Sequence, residues 1–211
     1  MHTRNEERTV DRLLIATNNP GKAKEYRELL EGLAIEITFP AQEGLDLDVE
    51  ETGTTFEENA HLKALAFARA TGLLTLADDS GLEVDALGGA PGVRSARYAG
   101  PGANDVDRYE KLLAAMADVP PEERSARFRC VVALARPTGV LHSVDGTCEG
   151  VIGYAPRGKH GFGYDPVFVV EGYGGRTLAE IDPDEKNRIS HRARAVTATR
   201  PLLASLLEEG T

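Results

Sequence analysis

The apolar residues come in short runs cut by glycine, proline and charge, and the runs alternate between two periods. Arg12-Leu-Leu-Ile-Ala-Thr17 reads as a buried strand, and Asn18-Asn-Pro-Gly21 breaks it. A helix over about Lys22 to Glu31 follows, with Tyr26, Leu29, Leu30 and Leu33 on one stripe and Gly32 closing it. A second strand is predicted over about Ala34 to Phe39, then an acidic loop over 41–53. Thr54-x-x-Glu57 and Thr55-x-x-Glu58 both fit the capping box of a helix running to about Ala70 and ending at Gly72. Leu73 to Ala77 predicts a third strand, ending in the turn Asp78-Asp79-Ser80-Gly81. Residues 88–104 are a Gly- and Pro-rich loop, and Asp105 to Ala117 is an amphipathic helix stopped by Pro120-Pro121. Two long strands, 126–136 and 139–153, form a hairpin near Thr138-Gly139. A strand over Pro166 to Val170 and a last helix from about Ser190 to Leu207, kinked at Pro201, complete the set. Alternating strands and helices around a central hairpin predict a mixed α/β sheet.

Composition narrows the class. The chain has 211 residues, 41% of them hydrophobic and 27% charged, as a globular domain does. Residues 1–9 read as a flexible extension and 10–211 as one two-lobed domain. No apolar run approaches the ~20 residues of a membrane helix. The net charge of −10 disfavours nucleic acid as a partner. It leaves room for a small anion held by local cations. Cys130 and Cys148 form neither a disulfide framework nor a zinc cluster, and both read as buried and reduced. The start, MHTRNEERTV, has no apolar signal segment, so a cytoplasmic location is expected.

Five segments carry candidate chemistry. Thr17-Asn18-Asn19-Pro20-Gly21-Lys22 joins a strand to a helix start, where backbone dipoles and the lysine favour an anion. It lacks P-loop spacing, and a plain Asn-capped helix fits it as well. Asp78-Asp79 are adjacent carboxylates, oxygen ligands of the kind Mg²⁺ prefers. Neighbouring strand residues face opposite ways, so one of the two is expected to face the site and the other to brace the loop. In the acidic loop, Glu50 or Glu51 offers a further metal oxygen; a solvated loop is the alternative. Asn59 and Lys63 share a helix face, and Lys63 can approach phosphate or stay a surface lysine. Gly161-Phe162-Gly163-Tyr164-Asp165-Pro166 suits the face of a planar ligand, or is only a turn into a strand. Lys186-Asn187-Arg188-Ile189-Ser190-His191-Arg192 gathers cations before a helix start, where the dipole favours acids; a ligand supplying negative charge would explain them.

Taken together, these segments resemble the inosine triphosphate pyrophosphatase (XTP/dITP diphosphatase) family. The resemblance rests on Thr17–Lys22, Glu51-Thr-Gly-Thr-Thr-Phe-Glu-Glu-Asn-Ala60, Leu62-Lys63-Ala64 and Ala77-Asp-Asp-Ser-Gly-Leu82. It continues through Gly88-Gly-Ala-Pro-Gly92, Ser95-Ala-Arg-Tyr98, Phe162-Gly-Tyr-Asp-Pro166 and Ser190-His-Arg192, in order, over about 12–207. Pro201 departs from the uninterrupted last helix expected there. The resemblance implies an elongated mixed sheet with flanking helices, in two lobes around a nucleotide cleft. It implies a homodimer that needs Mg²⁺ and hydrolyses ITP, dITP and XTP to the monophosphate and pyrophosphate. Thr17 to Lys22 would hold the triphosphate. Asp79 would be catalytic and a metal ligand, with Glu50 as a second ligand in a register that Glu51 leaves open. Ser80 would touch the nucleotide. Phe162, Gly163, Tyr164, Asp165, Lys186, His191 and Arg192 would shape the base and sugar pocket, Arg192 donating to the C6 oxygen. Lys63 and Lys22 would neutralise the leaving pyrophosphate. Two alternatives remain: a pyrophosphatase for other modified nucleotides, and a nucleotide sensor without catalysis.

Overall fold

The structure, a computed structural model, describes residues 12–208; the expected extension over residues 1–9 lies outside them. Six strands form one sheet in the order β2-β1-β3-β4-β5-β6. β1 (Arg12–Ile15) lies parallel to β2 (Glu36–Thr38) and to β3 (Leu74–Val84). β4 (Ser125–Arg136), β5 (Gly139–Ile152) and β6 (Phe168–Val170) continue it antiparallel. The mixed sheet expected from the element order is the one observed. A register shift at Leu134/Ala135 bends the long hairpin.

Helices cover both faces. α1 (Pro20–Leu29) and α5 (His191–Glu208) pack on the face that carries Leu13, Ile15, Leu76, Val132 and Leu134. α2 (Phe56–Thr71) packs on the face of Leu14, Ala77, Val131 and Ala133, burying Phe56, Ala60, Ala64 and Phe67. A third core gathers Leu82, Val84, Phe128 and Phe168 with Leu112 of α3 (Asp105–Ala115) and Met116 at its C-cap. Along one face β3 reads Leu76, Asp78, Ser80, Leu82. The apolar positions belong to two different cores, and the polar pair sits between them.

Two elements differ from the sequence reading. β3 does not turn at Asp78–Gly81 but runs on to Val84, paired with β4 throughout. Both carboxylates find cationic or amide partners on their own faces, so neither needs to leave the sheet for water. Gly81 permits the close approach of the 92–97 turn, since a Cβ there would lie 2.4 Å from Ser95 Oγ. Second, a short helix α4 (Pro183–Ile189) precedes the last one, capped by Asp182 with Pro183 in its first turn. Lys186 and Arg188 therefore stand in the last turn of a helix, where the dipole favours cations. The last helix passes through Pro201 as read from the sequence; the proline forfeits one backbone hydrogen bond but does not end it. Ser190 separates α4 from α5 and caps the latter, its Oγ accepting from Ala193 N–H at 3.2 Å. Both cysteines are buried and free, as expected.

Candidate active site

A cleft of about 600 Å³ opens between the polar stretch of β3, the start of α1, the acidic loop and the Phe162 turn. Thr17, Asn18, Asn19, Lys22, Glu50, Lys63, Asp79, Ser80, Phe162, Gly163, Tyr164, Asp165, Lys186, His191 and Arg192 all line it. Of the residues expected there, Pro20 and Gly21 do not. They shape the turn instead, because a Cβ at Gly21 would stand 2.7 Å from the Phe162 ring. Asn19 caps α1 by accepting from Lys22 N–H at 3.1 Å. Pro20 has no N–H to offer here, and the Lys22 ammonium brings a full positive charge to this end of the cleft.

Asp78 and Asp79 divide the site between the two faces, and both line the cleft. The expectation that only one of the pair would face the site is therefore corrected. On the α1 side, Lys22 Nζ donates to Asp78 Oδ2 at 2.8 Å and Arg192 Nη2 donates to the same oxygen at 3.2 Å. Burial would raise the Asp78 pKa, but Lys22, Arg192 and Lys63 hold it far below the usual carboxylate range. Asp78 Oδ1 is buried without a partner. On the α2 side, Asn59 Nδ2 donates to Asp79 Oδ2 at 2.9 Å, and Ser80 N–H donates to Asp79 Oδ1 at 2.9 Å. Asn59 is itself fixed, its Oδ1 accepting from Gly53 N–H at 2.8 Å. Lys63 Nζ lies 3.7 Å from Asp79 Oδ1 and donates to Glu51 Oε1 at 2.7 Å. Burial raises the Asp79 pKa; Lys63 lowers it, the Glu51 carboxylate raises it, and the net shift is upward. Glu51 thus enters the cluster around Lys63, whereas Glu50 lines the cleft as an exposed side chain.

A second ion network closes the floor. Arg192, 1% exposed, donates to Glu25 and Asp78, and to Ser80 Oγ at 2.9 Å. Lys186 Nζ donates to Asp165 Oδ2 at 2.6 Å and pairs with Glu25 Oε1 at 2.8 Å. Glu25 is the hub. Burial would raise its pKa, but Arg192 and Lys186 bring it down to about 2. Asp165 also accepts from Phe162 N–H at 2.9 Å, which pins the aromatic turn. His191 stacks on Phe128 with ring centroids 4.7 Å apart. Burial and the neighbouring Arg192 push its pKa well below the usual value, so it is neutral at pH 7.

The Glu25 shift gives a signed pH prediction. Its folded pKa lies below the ordinary carboxyl value of 4.5, so its contribution is complete above that pH and disappears as pH falls to about 2. The stability difference between parent and Glu25→Gln, read by urea unfolding, is expected to be constant from pH 7 to 5 and to shrink below. A difference independent of pH down to 2 would contradict the ion network.

Sequence reasoning missed Glu25 and Asn59 as site residues, and it named Asp78 only as one of a carboxylate pair of which a single member would face the site. The i,i+4 spacing of Asn59 with Lys63 was the available signal for the second. Nothing local marks Glu25, whose partners lie on α4 and α5, more than 160 residues away for Lys186 and Arg192.

Fold and site define an α/β protein whose ion-lined cleft, with lysines at both ends of a carboxylate pair and an aromatic turn beside it, suits a phosphorylated ligand with a planar group. The family model described as the Ham1 family matches residues 13–202. A dITP/XTP pyrophosphatase of Bacillus subtilis is 48% identical over 190 residues, 90% of this chain and 96% of that protein. One from Symbiobacterium thermophilum is 53% identical over 202 residues, 94% and 98% of the two chains. The structure of a HAM1 protein from Coxiella burnetii matches with a TM-score of 0.84 at 45% identity, covering 93% of this chain and 100% of that one. The chain belongs to the Ham1 family. The resemblance read from the sequence is borne out. Among the described residues no helix is long and apolar enough to cross a membrane.

Proposed function

We infer that this chain hydrolyses deaminated purine nucleoside triphosphates, ITP, dITP and XTP, to the monophosphate and pyrophosphate. The observation that carries the reading is the split carboxylate pair: Asp78 and Asp79 face opposite sides of β3, each beside a lysine of the cleft wall. Relatives of closely similar length named dITP/XTP pyrophosphatase support the substrate class.

Asp79 is the group proposed to orient the attacking water. Asn59 and the Ser80 amide fix its two oxygens, so the carboxylate is held in one orientation. Lys22 and Lys63 are proposed to meet the phosphates, whose negative charge grows on the leaving pyrophosphate. Drawing those lysines onto phosphate leaves Asp78, Asp79 and Glu51 short of positive charge. Their hard oxygens suit Mg²⁺, which takes one or two carboxylates together with substrate phosphates. Asp79 with Glu51, or with Glu50 as the sequence suggests, would hold it, and it would supply charge neutralisation at the phosphate oxygens. The neutral His191, whose buried Nδ1 has no hydrogen-bond partner, is the group proposed to meet a purine edge that carries a C6 oxygen. We further propose that the chain works as a cytoplasmic homodimer.

The reading is tested by the products of ITP hydrolysis. IMP and pyrophosphate in equal amounts are expected; IDP and orthophosphate would place the cleavage at the wrong bond. At the phosphate end, Lys22→Ala is expected to weaken binding of a non-hydrolysable ITP analogue by roughly 10- to 100-fold, the loss of one charge-assisted hydrogen bond. Inosine binding should not change. Equal losses for both in a calorimetric titration would remove Lys22 from the phosphate site.

A further inference from the structure

The Phe162 turn is held from two directions, and only one of them belongs to the ion network on the floor of the cleft. From below, Asp165 accepts the Phe162 N–H. From the opposite side, Asp105 Oδ2 accepts the Gly163 N–H at 2.8 Å, across 58 residues of sequence. Asp105 is the first residue of α3, yet it does not cap that helix. Asn104 and Asp107 do, the Asn104 side chain accepting from Asp107 N–H at 3.1 Å and the Asp107 side chain from Asn104 N–H at 2.8 Å. The Asp105 carboxylate is therefore free for another task. Its second oxygen takes Arg108 Nη1 at 2.5 Å, and Arg108 Nη2 donates to Ala103 O at 2.7 Å, which ties the carboxylate to the loop before α3. One residue further along the turn, Tyr164 Oη donates to Ser95 O at 2.9 Å. Phe162 itself has Lys186 Nζ 5.1 Å and Arg192 Cζ 5.8 Å from its ring centre, so the ring rests on the floor cations while its backbone hangs from α3.

We propose that Asp105 is a positioning residue for base binding: through the Gly163 amide it sets the Phe162 turn at the height at which the aromatic ring meets the purine. The proposal rests on the reading of the cleft as a nucleotide site and names a further residue for it. Asp105 acts on the base end alone. Lys22, Lys63, Asp78 and Asp79 have no hydrogen bond or ion pair with it among the described residues.

The test compares parent, Asp105→Ala and Asp105→Asn on ITP, with inorganic triphosphate as a base-free competitor. Asp105→Ala keeps the α3 cap and is expected to raise KM for ITP about tenfold, one hydrogen bond from an ionised acceptor, with kcat within about twofold. The inhibition constant of inorganic triphosphate should stay within about twofold. Asp105→Asn, whose amide oxygen can still accept from Gly163, should recover most of the KM. A merely structural role predicts something else: kcat and KM changes that follow the folded fraction, and no rescue by Asn. If KM for Asp105→Ala stays within twofold of the parent, or if triphosphate inhibition weakens in parallel, the proposal is overturned. Asp105→Ser, too short to reach Gly163, carries the same readings should Asp105→Ala not fold. An inactive parent would instead overturn the nucleotide reading, so the two failures are distinguishable.

Discussion

Asp79→Asn is expected to fold as the parent does and to lose at least ~10²-fold in kcat on ITP, the low end for a positioned acid–base group. The substitution is nearly isosteric. The amide oxygen can still accept from Asn59 or the Ser80 N–H, so the strand and the α2 contact survive. What disappears is the negative charge beside Lys63, and with it both the base and an oxygen for a divalent cation. Circular dichroism and a thermal melt would establish the fold, and initial rates at saturating ITP and Mg²⁺ the loss. A variant that retained near-normal kcat would remove Asp79 from the chemistry and leave the carboxylate pair without a function.

The second large effect concerns stability. Arg192→Ala is expected to cost roughly 3–5 kcal/mol, the range for removing one partner of a buried ion pair. Arg192 is 1% exposed, and its loss leaves Glu25 with Lys186 alone and Asp78 with Lys22 alone. For a chain of this length that is a fall of about 10 °C in Tm. Arg192→Lys should recover only part of it. One ammonium cannot span the Glu25 and Asp78 carboxylates and the Ser80 hydroxyl as the planar guanidinium does. A melt within 2 °C of the parent for Arg192→Ala would show that the network contributes little.

The elements most legible in the sequence were those whose signals are local. The Thr55–Glu58 capping box, the Asn19 cap with Pro20, and the glycine at the end of α2 each act within a few residues, and each stands where it was read. The long hairpin was legible for the same reason. The Asp78–Gly81 stretch was not, because its strand conformation depends on partners from α1, α2 and α5 that neutralise two adjacent carboxylates. Locally, two acids before a serine and a glycine look like a turn. The same applies to α4, seven residues that were read only as the approach to the last helix, whose own start near Ser190 was legible. As to the site, all the site residues that motif resemblance named line the cleft except Pro20 and Gly21, but the resemblance did not say which touched which. Arg192 was expected at the C6 oxygen of the base. In the fold its Nη atoms are taken by Glu25, Asp78 and Ser80, and Nε is the donor left buried without a partner. Glu25 escaped notice because an acid on an amphipathic helix ordinarily faces solvent; only the return of α4 and α5 over α1 makes it the hub.

The most direct measurement is pyrophosphate release at sub-saturating concentrations of ITP, dITP, XTP and the common ribo- and deoxyribonucleoside triphosphates, giving kcat/KM for each with Mg²⁺ present. If His191 meets the C6 oxygen as proposed, a C6 amine leaves it unpaired, and ITP and XTP should be favoured over ATP by at least ~10²-fold, within the range open to sites that read substrate hydrogen bonds. Equal kcat/KM for ITP and ATP, or turnover confined to pyrimidine nucleotides, would contradict the account.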